Sequence, residues 1–167
     1  MLKAYMTLSC KAGAYKKVLD ELIKMNLSQK DVFVLFGQAD ILVQFRELKG
    51  VDDFIANWFN PIRALTPEEA LVEKTQTLIV ISEGRQFKEE PYAFLFFDTQ
   101  PRNLEKLQET LQKIPGVLSA DTVFGPYDVI CAVRVRNKVE LKQLVERIEK
   151  EVPDVQGIAT EILAPFY

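Results

Sequence analysis

The spacing of hydrophobic residues predicts a β-α-β-β-α-β order of elements in the first half of the chain. Apolar runs that alternate with polar residues, or that are rich in β-branched residues, predict strands at residues 4–10, 32–36, 41–45 and 75–81. Apolar residues that recur every three or four positions predict two helices between them. The two helical stripes consist of Val18, Leu19, Leu22 and Ile23, and of Val51, Phe54, Ile55, Trp58, Phe59 and Ile62. Pro61 and Pro67 are expected to bound the far end of the second helix.

The second half of the chain repeats this order. Strands are predicted at residues 93–97 and 158–163, and two more flank residues 125–128 and end near Val135. The helical stripes between them consist of Leu104, Leu107, Leu111 and Ile114, and of Leu141, Leu144, Val145, Ile148 and Val152. Residues 83–90 form a polar run with one glycine and are expected to be a linker. The sequence therefore predicts two domains, residues 1–82 and 91–167.

One turn occurs at the same place in each half. Residues 124–130 read Phe-Gly-Pro-Tyr-Asp-Val-Ile, and 88 positions earlier residues 36–42 read Phe-Gly-Gln-Ala-Asp-Ile-Leu. In both copies a strand ends in Phe-Gly and a second apolar run follows the aspartate. This pattern is typical of a hairpin, because glycine and aspartate tolerate turn conformations. Phe36 and Phe124 are expected to be core residues.

The order of elements predicts the fold class. A β-α-β-β-α-β unit is typical of the ferredoxin-like fold, in which right-handed crossovers place both helices on one face of an antiparallel sheet. Residues 92–97 are apolar on both faces of their strand, so the face away from the helices is also expected to be covered. We therefore expect an α+β protein in which two ferredoxin-like units pack sheet against sheet, as a dimeric α/β barrel-like pseudo-dimer within one chain.

The second turn resembles the Gly-x-Tyr-Asp turn in the effector-binding domain of the Lrp/AsnC transcription regulators, often called the regulation-of-amino-acid-metabolism domain. Gly125, Tyr127 and Asp128 match this motif, and residues 115–117 and 155–160 extend the resemblance. Members of the family use such domains to bind amino acids or related small effectors and to assemble dimers into higher oligomers.

The first copy of the turn departs from the family motif. Gly37 and Asp40 are kept, but Ala39 stands where the tyrosine would be. A second departure is that the first predicted strand begins almost at Met1, where family members carry a helix-turn-helix. The resemblance therefore implies a stand-alone sensing module without its own DNA-binding domain.

The candidate ligand-binding residues are Gly125, Tyr127 and Asp128, together with Gly37 and Asp40 of the first copy. A glycine lets a ligand approach backbone amides, which can hold a carboxylate. The aspartate can accept an ammonium group, and the tyrosine offers an aromatic wall with a hydroxyl. The alternative, that glycine and aspartate only form the hairpin turn, stays open.

Composition narrows the possible functions. A net charge of -3 argues against a direct nucleic-acid partner, because phosphate binding needs a basic surplus. The absence of histidine excludes His-based triads and nearly all catalytic zinc sites, so we expect no catalytic residue, no metal and no cofactor. We find neither a membrane-spanning apolar run nor a signal peptide and expect a cytoplasmic protein without a membrane partner. Cys10 and Cys131 are expected to be small buried hydrophobic residues.

Two functions besides effector sensing stay open. One is an enzyme of the dimeric α/β barrel superfamily, and the other is an adaptor that binds an intact Lrp/AsnC regulator. Amino-acid-binding ACT domains share the same order of elements, but the Gly-x-Tyr-Asp turn favours the Lrp/AsnC resemblance. The expected partners are therefore a small-molecule effector such as an amino acid, further copies of this chain and, for the adaptor, a DNA-binding regulator.

Overall fold

The computed structural model describes residues 1–65, 68–100 and 104–166. The chain divides into two compact units, Met1–Ile79 and Val80–Tyr167. Each unit combines helices with antiparallel strands, so the protein has a mixed α+β fold. The packing of one sheet against the other stays a prediction of the sequence.

Unit 1 contains four antiparallel strands in the spatial order β2-β3-β1-β4. Its elements in chain order are β1 (Leu2–Cys10), α1 (Tyr15–Lys24), β2 (Val32–Phe36), β3 (Ile41–Leu48), α2 (Val51–Phe54), α3 (Asn60–Arg63) and β4 (Val72–Ser82), the last of which continues across the boundary into unit 2. One face of the sheet packs against the helices. The buried residues of this core are Ala4, Met6, Leu8, Val18, Leu22, Ile41, Val43, Phe45, Leu48, Phe54 and Ile62.

Helices α2 and α3 belong to one helical stretch that is widened in its middle. Residues Ile55–Phe59 form a π-helix, and the N–H of Asn60 donates to the carbonyl of Ile55, five residues back. Pro61 has no N–H to donate to the preceding turn, which favours this local change of hydrogen-bond register. The expectation that Pro61 ends the helix was wrong, because Pro61 lies inside α3. Pro67 lies outside the described residues.

Unit 2 contains four antiparallel strands, in the order β6-β7-β5-β8. Its elements are β5 (Ala93–Thr99), α4 (Leu104–Lys113), β6 (Val117–Phe124), β7 (Val129–Val133), α5 (Lys138–Glu151) and β8 (Val155–Leu163). Asn137 caps α5 by accepting a hydrogen bond from the N–H of Glu140 at 2.9 Å, which satisfies one free donor of the first turn. The order β-α-β-β-α-β is thus present in both units.

Both faces of β5 are buried. Ala93, Leu95 and Phe97 lie in the core that α4 and α5 cover, and Phe94 and Phe96 on the opposite face are also buried. Within unit 2 the ring of Phe87 lies 6.3 Å from that of Phe94, and the ring of Tyr127 lies 5.5 Å from that of Phe96. The expectation that this strand has no water-facing side is confirmed.

The two phenylalanines of the repeated turn were wrongly assigned to the core. Phe36 is 52% exposed and Phe124 is 72% exposed. Each is the last residue of its strand and lies two residues beyond the last pair with the following strand, which is Val34 with Ile41 for β2 and β3 and Thr122 with Val129 for β6 and β7. The strand pattern continues to these residues, but the packed layers end before them.

The two cysteines lie in corresponding cores. Cys131 is fully buried and Cys10 is partly buried, and neither forms a disulfide. Burial, together with the negative charges of Asp40 and Glu73, raises the pKa of Cys10 from 9.0 to about 11. Burial and the charge of Asp121 raise the pKa of Cys131 as well. Both thiols therefore resist deprotonation in the folded protein.

We expect the free energy of unfolding to fall as the pH rises from 9 towards 11. In this window the unfolded Cys10 thiol, whose pKa is 9.0, loses its proton while the folded thiol keeps it, so alkaline pH favours the unfolded chain. Urea unfolding at pH 8, 9 and 10 tests this. Replacement of Cys10 with Ala should make the pH dependence shallower, and identical slopes in the variant and the parent would contradict the explanation.

Candidate functional site

The turn of unit 2 connects β6 and β7 at one end of the sheet. Gly125 has a φ of 153°, a conformation that side chains disfavour. Gly125 and Pro126 are exposed, whereas Tyr127 and Asp128 are half-buried. The turn is joined to β5 because the N–H of Asp128 donates to the carbonyl of Phe97 at 3.1 Å.

The carboxylate of Asp128 makes a second connection to β5. Its Oδ2 accepts a hydrogen bond from the backbone N–H of Thr99 at 3.0 Å. Unit 1 repeats this arrangement, because Oδ2 of Asp40 accepts from the N–H of Cys10 at 2.7 Å and the N–H of Asp40 donates to the carbonyl of Leu8 at 2.9 Å. In both units, one carboxylate oxygen therefore has a structural role that the sequence did not reveal.

The two turns differ in the residue before the aspartate. The ring of Tyr127 packs on Phe96 at an interplanar angle of 46°, and its half-buried position leaves part of the ring accessible. Ala39, at the corresponding position of unit 1, is buried and offers neither a ring nor a hydroxyl. Only the second turn therefore has the aromatic wall that the family motif supplies.

The second turn also has a nearby acidic residue that the sequence analysis missed. Partial burial and the negative charge of Asp128 raise the pKa of the exposed Asp98. Two neighbouring carboxylates attract a cation more strongly than one does. Ser9 occupies the corresponding place in unit 1, before Cys10 as Asp98 is before Thr99. Comparison of the two strand ends in the sequence could have revealed this difference.

A cleft of about 250 Å³ lies beside this turn, on the helical side of unit 2. Its lining includes Thr99 and Lys106, and the other residues are Leu107, Thr110, Glu151, Val152, Pro153 and Asp154. Unit 1 has a cleft of about 320 Å³ lined by Arg63, Val72, Glu73, Lys74 and Thr75. None of the five candidate ligand-binding residues lines either cleft.

Two further kinds of feature are absent from the described residues. These residues contain no group of three or more Cys, Asp or Glu side chains with the geometry of a metal site. Among their helices, none has the length and apolar character needed to cross a membrane.

Comparison with protein families identifies one domain. Residues 92–164 match the family model described as the Lrp/AsnC ligand binding domain. The match includes the Gly125, Tyr127 and Asp128 turn, so the resemblance that the sequence predicted is confirmed for this part of the chain. A search of curated proteins found no match.

Solved structures show how widely the fold is shared. The siroheme decarboxylase NirDL, in complex with an iron-uroporphyrin III analogue, is 9% identical, with a TM-score of 0.69 over 97% of this chain and 70% of its own. A putative monooxygenase from Lactobacillus acidophilus NCFM is 11% identical, with a TM-score of 0.54 over 98% of this chain and 92% of its own. The hypothetical protein PHS023 from Pyrococcus horikoshii is 28% identical over 41% of this chain and 82% of its own, with a TM-score of 0.38.

Two of these proteins have names that describe enzymes. The expectation that this chain is not an enzyme therefore stays a prediction.

We expect replacement of Asp128 with Ala to lower the free energy of unfolding by about 1–3 kcal/mol, because the N–H of Thr99 loses its acceptor. Asp40→Ala should have an effect of similar size through Cys10. The Asn variants keep an acceptor oxygen and should lose less. Urea unfolding of the four variants measures the differences. Ala variants that are as stable as their Asn counterparts would show that these hydrogen bonds do not hold the turns.

Proposed function

We propose, from the Lrp/AsnC ligand-binding domain formed by residues 92–164, that this chain is a regulatory module that binds a small amino-acid-like effector. The observation that carries the proposal is that this domain includes the Gly125, Tyr127 and Asp128 turn, whose chemistry suits both ends of a zwitterion.

The electrostatics of the second turn support an ammonium group as one end of the ligand. Asp128 uses Oδ2 to accept from Thr99, and Asp98 adds a second negative charge nearby. A charge-assisted hydrogen bond to a carboxylate is about twice as strong as a neutral one. Gly125 has no side chain to keep the carboxylate end of the ligand away from the backbone amides. Tyr127 supplies an aromatic surface beside both groups.

We propose that the first turn binds the effector more weakly or has only a structural role. Gly37 and Asp40 are present, but Ala39 is buried and Ser9 replaces the second carboxylate. The carboxylate of Asp40 is already engaged by the N–H of Cys10. Unit 1 therefore keeps the hydrogen bonds that form the turn, but it lacks the aromatic ring and the second carboxylate that would contact a ligand.

We also propose that the chain self-associates through the tips of the two turns. Phe36 and Phe124 are large aromatic residues that are mostly exposed, and a contact between chains would remove their apolar surface from water. A chain with two ferredoxin-like units would correspond to a dimer of one-unit relatives, so closed assemblies of several chains are expected. A DNA-binding regulator as the partner is the adaptor alternative.

We expect an amino acid to stabilise the ligand-stripped protein in a thermal-shift panel, by ~2.7 kcal/mol at a hundredfold excess over Kd. Asp98→Asn and Asp128→Asn should each reduce the shift, because each removes a negative charge near the ammonium group. Asp40→Asn is the matched control in unit 1 and should reduce it less.

If no amino acid raises the melting temperature, the effector proposal fails. If one does, but the three Asn variants bind it as well as the parent does, binding occurs elsewhere and the turns have only a structural role.

We expect light scattering to show particles heavier than the 19.1 kDa chain. Phe36→Ser and Phe124→Ser should each lower the mean particle mass, because each substitution removes an exposed aromatic ring from the proposed contact between chains. Val139→Ser, at a 67% exposed apolar residue on α5, is the control and should leave the mass unchanged. A parent protein that is monomeric at all concentrations would refute the proposal.

A further inference from the structure

Residues 82–85, which we call the strap, lie against α4 and β6 of unit 2. The buried side chain of Gln108 holds the first residue of the strap from two sides. Its Nε2 donates to the carbonyl of Ser82 at 3.0 Å and to that of Ala120 at 2.8 Å, and its Oε1 accepts from the hydroxyl of Ser82 at 3.0 Å. One amide thus connects the strap to β6.

The third residue of the strap is recognised by the absence of a side chain. The N–H of Gly84 donates to Oδ1 of Asp121 at 2.7 Å, and Asp121 is fully buried. A Cβ atom on Gly84 would lie 2.1 Å from the carbonyl oxygen of Ala120 and 2.5 Å from Oε1 of Gln112. Only glycine therefore fits at this place without a shift of β6.

The fourth residue of the strap is held through both its backbone and its side chain. The N–H of Arg85 donates to Oε1 of Gln112 at 2.7 Å. Nη2 of Arg85 donates to the carbonyls of Gln112 at 2.6 Å and Val117 at 2.9 Å. One nitrogen of the guanidinium, which carries two N–H donors, thus makes both of these hydrogen bonds.

The fold itself does not require these polar groups. Unit 1 has apolar residues at the three corresponding positions, with Leu19 and Ile23 on α1 and Phe33 on β2. In unit 2 the two glutamines are one helical turn apart and face the same segment. The polar surface is therefore specific to unit 2 and to the segment that lies on it.

We propose that Gln108, Gln112 and Asp121, with the carbonyls of Val117 and Ala120, form a clamp for an extended Ser-x-Gly-Arg peptide, and that the strap is its resident ligand. The clamp binds the hydroxyl of the serine and the guanidinium of the arginine, and it leaves no room for a side chain at the glycine. A second copy of this chain, whose own strap has this sequence, is the partner that this chemistry fits.

The resident strap limits how tightly such a partner binds. Ser82 and Arg85 are exposed, so the strap can leave the clamp without opening the core of unit 2. An outside peptide binds only the fraction of molecules in which the strap has left, and its apparent affinity is reduced by that fraction. A change that weakens the strap but leaves the clamp intact should therefore strengthen binding of the peptide.

The test uses a fluorescent peptide with the sequence of residues 80–88 and the full-length chain. Gly84→Ala should eject the strap and bind the peptide at least tenfold more tightly than the parent, as measured by fluorescence anisotropy. Gly50→Ala is the matched control, because no atom lies within 4 Å of a Cβ at that position, and it should bind like the parent. A peptide with Ala in place of the glycine should not bind.

Arg85→Ala provides a second route to an empty clamp, since it removes the two guanidinium hydrogen bonds of an exposed side chain. The Arg85→Ala variant should also bind the peptide more tightly than the parent does. If Gly84→Ala does not fold, the Arg85→Ala variant alone tests the proposal. The proposal is overturned if the folded variants bind the peptide no better than the parent. It is equally overturned if the Ala-substituted peptide binds as well as the original.

Discussion

The hydrogen bond between the turn aspartate and the end of the first strand of each unit holds the candidate site in place. Without it, residues 125–128 would be joined to β5 by the backbone hydrogen bond from Asp128 to Phe97 and by the packing of Tyr127 on Phe96. The same bond from Asp40 to Cys10 shows that it belongs to the scaffold. The ligand chemistry that we propose depends on the groups added to this scaffold in unit 2, and these are Tyr127 and the neighbouring charge of Asp98.

The two units share one scaffold but differ in the side chains that it carries. Unit 2 has the aromatic ring and the second carboxylate at its turn, and it has the polar clamp on α4 and β6. Unit 1 has a buried alanine at the turn and apolar residues on α1 in place of the two glutamines. The family match also covers unit 2 alone. These differences all favour unit 2 as the unit that recognises other molecules and unit 1 as a structural counterpart.

The strap shows that part of the segment joining the two predicted domains makes specific contacts with unit 2. Its composition is that of a flexible linker, but Ser82, Gly84 and Arg85 are held by side chains and carbonyls of unit 2. Because Gly84 fits only without a side chain, its place in the sequence is set by packing against Ala120 rather than by flexibility. A polar, glycine-containing segment can thus be a recognised ligand of its own domain.

The order of the elements, the two cores and the position of the repeated turn could be predicted from the sequence, because hydrophobic periodicity and glycine-aspartate turns are local signals. The sequence also identified Tyr127, which stands where the first copy has Ala39, as a chemical difference between the two turns. Which atoms the turn residues contact depends on the folded structure. The exposure of Phe36 and Phe124 depends on where the cross-strand pairs end, and the roles of Asp98 and the strap depend on residues that are distant in the chain. Such contacts leave no periodic signal, because they are made once, between single residues.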